Sequence, residues 1–316
     1  MNSKMFASRL DPAVYIVGAG PGDPELLTVK AQKLIEQADV LVYANSLVPK
    51  QILSAIRPNA EKIATASMTL EDIVPLMVER VKAGKAVVRL HSGDPSLYSA
   101  IGEQMRRLAE ADVPFEVVPG ISAFQAAAAT LQVELTVPNQ VQSIILTRIS
   151  GRTQVPEAEE LSGLAAHQAS LCLYLSARHI ETAQNQLLAH YAPQTPVAIC
   201  FRVGWPDEQI QVVPLQEMAA VSQALGLVRT TLYLVSPALK LPSLDQPVGT
   251  HKRSRLYSPD HDHLFRAKGT ATRRMAASPE TKATNATAAT AIGDNSSIET
   301  PSIKETLKKE QEQGKR

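Results

Sequence analysis

Residues Tyr15 to Thr28 read YIVGAGPGDPELLT, a short apolar run that breaks into glycines and prolines before apolar residues return. The stretch resembles the turn that cradles the pyrophosphate of a dinucleotide. That turn needs Gly-x-Gly-x-x-Gly, where the third glycine lets the following helix pack close to the strand. Gly18 and Gly20 fit, but the third position is Asp23. Pro21 and Pro24 remove backbone N–H groups that a pyrophosphate would use. No isolated acidic residue follows the second strand either, because VLVY (40–43) runs into ANSLVP. The fingerprint fails, and the loop reads as a rigid strand exit that can receive a flat, uncharged ring.

Working outward, Leu27, Ala31, Leu34, Ile35 and Ala38 keep a helical period, and VLVY is the next strand. Thr69 offers an N-cap to LEDIVPLMVERVKAG, which Gly84 closes. AVVRL (86–90) and FEVV (115–118) follow as strands with a helix between them. Short apolar strands separated by helices call for a parallel sheet with right-handed crossovers. Near Pro138 the pattern changes to IILTRI, SLCLYLS, VAICFRV, QIQVV and TTLYLVS, with fewer helices between strands, so a second and partly antiparallel sheet is expected. The expected architecture is α/β, with an N-terminal α/β domain at 13–138, a C-terminal α/β domain at 139–245 and a C-terminal extension at 246–269. The polar tail at 270–316 has no Phe, Tyr, Trp or Val, one Leu and three Ile, too little apolar surface to offset ordering entropy, so it is expected to be disordered.

A formal net charge of +1 supplies no global attraction to nucleic acid or an acidic membrane. The opening MNSKMFASRL lacks an apolar signal core, and no run nears the ~18 apolar residues of a membrane span, so a cytoplasmic protein is expected. Cys172 and Cys200 sit inside apolar strands and read as buried small hydrophobes. There is no Ser–His–Asp or Cys–His arrangement and no metal-ligand spacing. His261-Asp262-His263 reads as a polar surface turn, so no metal site is expected.

Two further strand exits carry glycine. RLHSGDPSLYSA (89–100) has Gly93, which permits close backbone approach to a ligand, and Asp94, which can cap a helix or accept hydrogen bonds from a ligand. VVPGISAFQAAAA (117–129) leads through Gly120 and Ser122 into a helix of small residues that can pack very close to a neighbour. Three such loops at the carboxyl ends of parallel strands lie where open α/β sheets bind ligands.

GAGPGDPELLT, HSGDPSLY, VPGISAF and the late TTLYLV resemble, in order and spacing, the tetrapyrrole methylase superfamily, over roughly residues 13–267. YANSLVP (43–49), ILTRISGRTQVPE (145–157), FRVGWPDEQI (201–210) and the terminal SRLYSPDHDHLFR (254–266) resemble its precorrin-4 C11-methyltransferase branch in cobalamin biosynthesis. Uroporphyrinogen-III methylases, the alternative within the superfamily, typically carry Asp after the second-strand tyrosine, where this chain has Ala44.

The resemblance implies S-adenosylmethionine in a cleft between the two α/β domains, leaving as S-adenosylhomocysteine. It implies cofactor contacts from Pro21, from Ser92, Gly93, Asp94 and Leu97, and from Ser122 and Ala123. On the second domain it implies Tyr174, Leu175, Val203, Thr231 and Leu232. Methyl transfer from a sulfonium needs no covalent nucleophile or metal, only alignment and exclusion of water. The corrinoid substrate carries many carboxylates, for which arginine supplies forked donors. Arg89, Arg148, Arg152, Arg178 and Arg202 fall at or near strand ends, and Arg89 and Arg152 lie in the most specific motifs. Tyr98 is a further substrate-contact candidate. The resemblance also implies a homodimer, and no nucleic-acid or membrane partner.

Overall fold

Thr28 begins the first long helix because its hydroxyl accepts the Ala31 N–H (3.1 Å), and the apolar face of that helix, Ala31, Leu34 and Ile35, is buried on a sheet. The same logic repeats along the chain in a computed structural model that describes residues 9–239. The element order is β1 (Val14–Gly18), α1 (Val29–Gln37), β2 (Val40–Tyr43), β3 (Glu61–Ala64), α2 (Leu70–Lys82), β4 (Val87–His91), α3 (Ile101–Glu110), β5 (Phe115–Val118) and α4 (Ala123–Thr130). It continues with β6 (Ile144–Arg148), α5 (Leu161–Ala165), β7 (Ser170–Tyr174), α6 (Ile180–Leu188), β8 (Pro196–Phe201), β9 (Gln209–Pro214), α7 (Met218–Ala224) and β10 (Thr231–Val235).

The first sheet runs β3-β2-β4-β1-β5 with every pairing parallel. Its two faces are covered separately: α1 with Tyr15, Val17, Leu41, Val88 and Leu90 on one, α2 and α3 with Val14, Ile16, Val42 and Val87 on the other. α2 begins as expected at Thr69, whose N–H donates to the Asp72 carboxylate (2.9 Å), and ends at Gly84 with φ +76. The second sheet runs β6-β7-β10-β8-β9; β6 and β7 are parallel and the other pairings antiparallel. The mixed α/β reading therefore holds. β3 (EKIA) was not legible in the sequence, because a four-residue edge strand of alternating charge lacks an apolar signal.

α4 leaves the first sheet and packs on the second. Ala126 and Ala127 meet Cys172, Ala198, Cys200, Leu232 and Leu234, which is the close small-residue packing that the run of alanines suggested. Cys172 and Cys200 are free and buried, and burial pushes both thiols up to about 12, so they act as apolar filler. No helix among the described residues is long and apolar enough to cross a membrane. The expected extension at 246–269, the tail at 270–316 and His261/His263 lie outside the described residues.

Candidate functional site

In the first sheet the chain leaves β1 toward β2 on one side and leaves β4 toward β5 on the other, although β1 and β4 are neighbours. Such a reversal opens a crevice at the carboxyl ends of the two strands. Here the two exits pair with each other. Gly93 N–H donates to the Gly20 carbonyl (2.7 Å) and Gly20 N–H to the Gly93 carbonyl (3.2 Å). Gly120 completes the floor: a Cβ placed on Gly18 would lie 2.5 Å from Gly120 N and 2.8 Å from Gly93 O, so only glycines let these three backbones meet. The dinucleotide reading fails structurally as well, because α1 begins at Val29 and its N-terminus does not follow the glycine turn.

A cavity of ≈ 530 Å³ lies over this floor, between the two sheets. From the first sheet it is lined by Pro21, by Arg89 and His91 of β4, by Ser92, Gly93, Asp94, Leu97 and Tyr98, and by Ser122 and Ala123. From the second come Tyr174 and Leu175 at the end of β7, Cys200 and Val203 around the end of β8, and Thr231 and Leu232 of β10. Because β10 is antiparallel to β7 and β8, its start meets their ends at the cleft, which also brings Val228 to Thr230 into the wall. The structure brings the named candidates together except Arg148, Arg152 and Arg202, which lie outside the lining; Arg152 is exposed. The Arg148 guanidinium donates to the carbonyls of Thr153 (2.9 Å) and Gln154 (2.8 Å), within the loop that carries Arg152. Arg202 also serves its own loop, held by Asp207 and lying over Phe201 and Trp205.

Three arginines, Arg89, Arg178 and Arg229, line the cavity. Arg229 was missed because it precedes a strand whose direction the sequence did not reveal. Arg89 is 7% exposed, and its Nη1 donates to the Thr65 hydroxyl (2.9 Å) while its Nε has no partner among the described residues. Burial alone pulls its guanidinium down to about 10, since no carboxylate stands beside it among the described residues. His91, also missed, is 8% exposed with Nε2 unpartnered; burial first and the Arg89 charge second depress it to about 3.

The His91 shift has a pH signature. The folded state keeps the imidazole neutral while the unfolded chain protonates it below about 6.5, so its contribution is complete above that pH and is lost as pH falls toward about 3. Melting curves between pH 7 and pH 4 should therefore fall less steeply for His91→Gln than for the wild type. Parallel slopes would show that His91 turns out to water and charges in the folded protein.

Asp94 has a defined structural task. Its Oδ1 accepts the Ser96 N–H (2.8 Å) and hydroxyl, and its Oδ2 accepts the Gly120 N–H (2.9 Å), tying the loop after β4 to the loop after β5. Burial alone would raise this carboxyl, but those hydrogen bonds outweigh it and hold it below the usual range. Asp94→Ala strands the Gly120 N–H and should cost about 2–3 kcal/mol of stability. Cofactor affinity should fall with it, because Gly93 and Ser122 sit on the two loops that come apart. Thermal melts with calorimetry on the one variant check this: weakened binding at unchanged stability would reverse the order of roles.

Tyr174 joins the sheets. Its hydroxyl pairs with Ser122 Oγ (2.9 Å) and accepts the Phe124 N–H (3.2 Å) at the start of α4. Its ring sits 5.5 Å from that of Tyr98, which is 44% exposed at φ +55, and the neighbouring Leu175 is 67% exposed at φ +53. Both residues line the cavity with left-handed backbone and much of their side chains exposed.

Comparison with known proteins agrees with this geometry. The family model described as Tetrapyrrole (Corrin/Porphyrin) Methylases matches residues 13–219. A precorrin-4 C(11)-methyltransferase of Pseudomonas aeruginosa is 43% identical over 253 residues, 80% of this chain and 98% of that protein. A cobalt-precorrin-4 C(11)-methyltransferase of Methanocaldococcus jannaschii is 42% identical over 254 residues, 80% of this chain and 95% of that protein. The X-ray structure of a cobalt precorrin-4 methyltransferase superposes with a TM-score of 0.71 at 41% identity, covering 73% of this chain and 97% of that one. A Thermus thermophilus uroporphyrin-III C-methyltransferase solved with S-adenosylhomocysteine superposes at 0.60 with 28% identity, covering 72% and 93%. With the switch-point glycine floor, the two sheets and these matches all in agreement, the chain belongs to the tetrapyrrole (corrin/porphyrin) methylase family.

Proposed function

We propose that this enzyme methylates C11 of precorrin-4 or of its cobalt complex, with S-adenosylmethionine as methyl donor. The observation that carries the reading is Arg89: a buried guanidinium with no carboxylate partner among the described residues lines a cavity that two more arginines line. A buried cation left unpaired is costly, and a ligand carboxylate removes that cost on binding. A substrate bearing acetate and propionate groups supplies several. The names of the relatives point to the same substrate class.

The residues present suit the cofactor. The glycine floor that a Cβ would fill lets a ligand lie against backbone; Leu97, Leu175, Val203 and Leu232 offer apolar cover, and Ser92, Asp94 and Ser122 offer polar groups. When bound, it supplies an electrophilic methyl group. The chain's part is alignment and dryness: Pro21 and Val203 close one wall, Tyr174 fixes the start of α4, and Arg89, Arg178 and Arg229 orient the substrate by its carboxylates. Tyr98 at the rim contacts the macrocycle. The cytoplasmic location and the homodimer belong to this proposal too. For the latter, Phe115 and Val117 on edge strand β5 are 37% and 41% exposed, and light scattering reads the assembly directly.

Calorimetric titration with S-adenosylhomocysteine, followed by turnover of labelled S-adenosylmethionine with metal-free and cobalt-bearing precorrin-4, tests the reading. Tight binding of a nicotinamide dinucleotide with no response to S-adenosylhomocysteine would end it. The two substrates side by side decide which form is used.

A further inference from the structure

Pro21 and Val203, carried by loops of different sheets, both line the cavity, and the side chains that join those two loops do not. They form a seam between the loop after β1 and the loop after β8. The Trp205 indole N–H donates to the Pro21 carbonyl (3.1 Å). The Gln51 amide donates to the Gly22 carbonyl (2.6 Å) and to the Gly204 carbonyl (2.9 Å), one bond to each loop. Two glycines permit the approach. A Cβ on Gly22 would lie 2.5 Å from Trp205 Cδ1, and one on Gly204 would lie 2.8 Å from Asp23 N.

The arm on the second sheet is itself braced. Arg202, at φ +48, lies over the Phe201 and Trp205 rings (5.0 and 4.9 Å) and is held by Asp207. Gly204 N–H donates to Glu208 (2.6 Å). Three hydrogen bonds to the carbonyls of Pro21, Gly22 and Gly204 fix the two loops to each other at Pro21 itself and at the residue after Val203, so the seam sets where both lining residues sit. Holding a site in its binding shape before the ligand arrives is what raises affinity without adding contacts.

We propose that Gln51 and Trp205 are positioning residues: they clamp the two loops together and so hold Pro21 and Val203 in the binding shape of the cofactor lobe, although neither clamp residue lines it. The proposal rests on the reading that S-adenosylmethionine occupies this lobe. It assigns a task to the Trp-Pro-Asp-Glu part of the FRVGWPDEQI motif and to Gln51, neither of which touches the cavity.

The test is the double variant Gln51→Ala/Trp205→Phe, which removes all three bonds but keeps an aromatic ring against Gly22. S-adenosylhomocysteine is titrated calorimetrically into wild type and variant, and the corrinoid KM is measured at saturating S-adenosylmethionine. The expected result is a cofactor-product Kd raised roughly tenfold or more, with the corrinoid KM changed less than about threefold. A merely structural role would lower the melting temperature and leave the Kd of the folded protein alone. A folded double variant whose Kd stays within about twofold of wild type overturns the proposal. If the double variant does not fold, Trp205→Phe alone decides, with a Kd raised roughly threefold or more supporting the clamp and an unchanged Kd overturning it. If wild type itself does not bind S-adenosylhomocysteine, it is the functional reading that fails and not the clamp.

Discussion

Gly120→Ala should remove at least about 3 kcal/mol of stability, more than an ordinary overpacked core position. The added Cβ would fall on the Gly93 carbonyl oxygen and lie 2.8 Å from Gly18 Cα. Both neighbours are backbone, and both are already committed. Gly93 is paired with Gly20, and Gly18 closes β1 beside β4. No rotamer change relieves the clash, so strand exits must separate, and the Asp94 bond to the Gly120 N–H goes with them. At roughly 2–4 °C per kcal/mol for a chain of this size, the melting temperature should drop by about 6–12 °C. Gly102→Ala is the matched control. It lies in α3 with open space around it, where alanine should be neutral or stabilising by up to about 1 kcal/mol. A Gly120→Ala melt within about 2 °C of wild type would mean that the floor is softer than this packing implies.

Arg89→Met should do the opposite to stability and sharply weaken function. The guanidinium is buried, has one hydroxyl partner, and leaves its Nε unpaired. Methionine of similar length removes the desolvation cost at the loss of one Thr65 bond, so the free protein should gain on the order of 1 kcal/mol. Substrate binding should suffer in proportion to a lost charge-assisted contact in a dry site, about 2–4 kcal/mol, a fall in kcat/KM of roughly 30- to 1,000-fold. S-adenosylhomocysteine affinity should hardly move. A more stable protein that binds cofactor and turns over at least about 30-fold less efficiently would mark Arg89 as a group kept at the expense of the fold for the sake of a ligand. A destabilised Arg89→Met with full activity would make it structural.

Much of this chain was legible without coordinates, for a local reason. The strands VYIVG, VLVY and FEVV and the helix capped by Thr69 are set by contiguous residues, so periodicity and caps reveal them. The glycine-bearing strand exits were legible too, because a parallel sheet has one end at which such loops gather. The failure of the dinucleotide fingerprint at Asp23 was a fact of spacing alone.

Other features depended on distant segments meeting. The motif that carries Arg152 was plain, but Arg148 bonds to the carbonyls of Thr153 and Gln154 within that loop, and Arg152 stands exposed outside the cavity lining. Arg229 enters the cavity because β10 runs antiparallel between β7 and β8, a pairing that no local pattern specifies. His91 lay inside a recognised motif, and only burial on the same face of β4 as Arg89 shows that it is neutral and unpartnered. Asp94 read as a cofactor contact, with a helix cap as the alternative, and the bond its carboxylate accepts from the Gly120 N–H joins two loops 26 residues apart that no local pattern pairs. Gln51 and Trp205 are 154 residues apart (205 − 51), and a hydrogen-bonded seam between such positions is written in three dimensions. Sequence determines what each segment can be. Which side chains share a cavity, and which of their atoms are already taken, is decided by long-range packing.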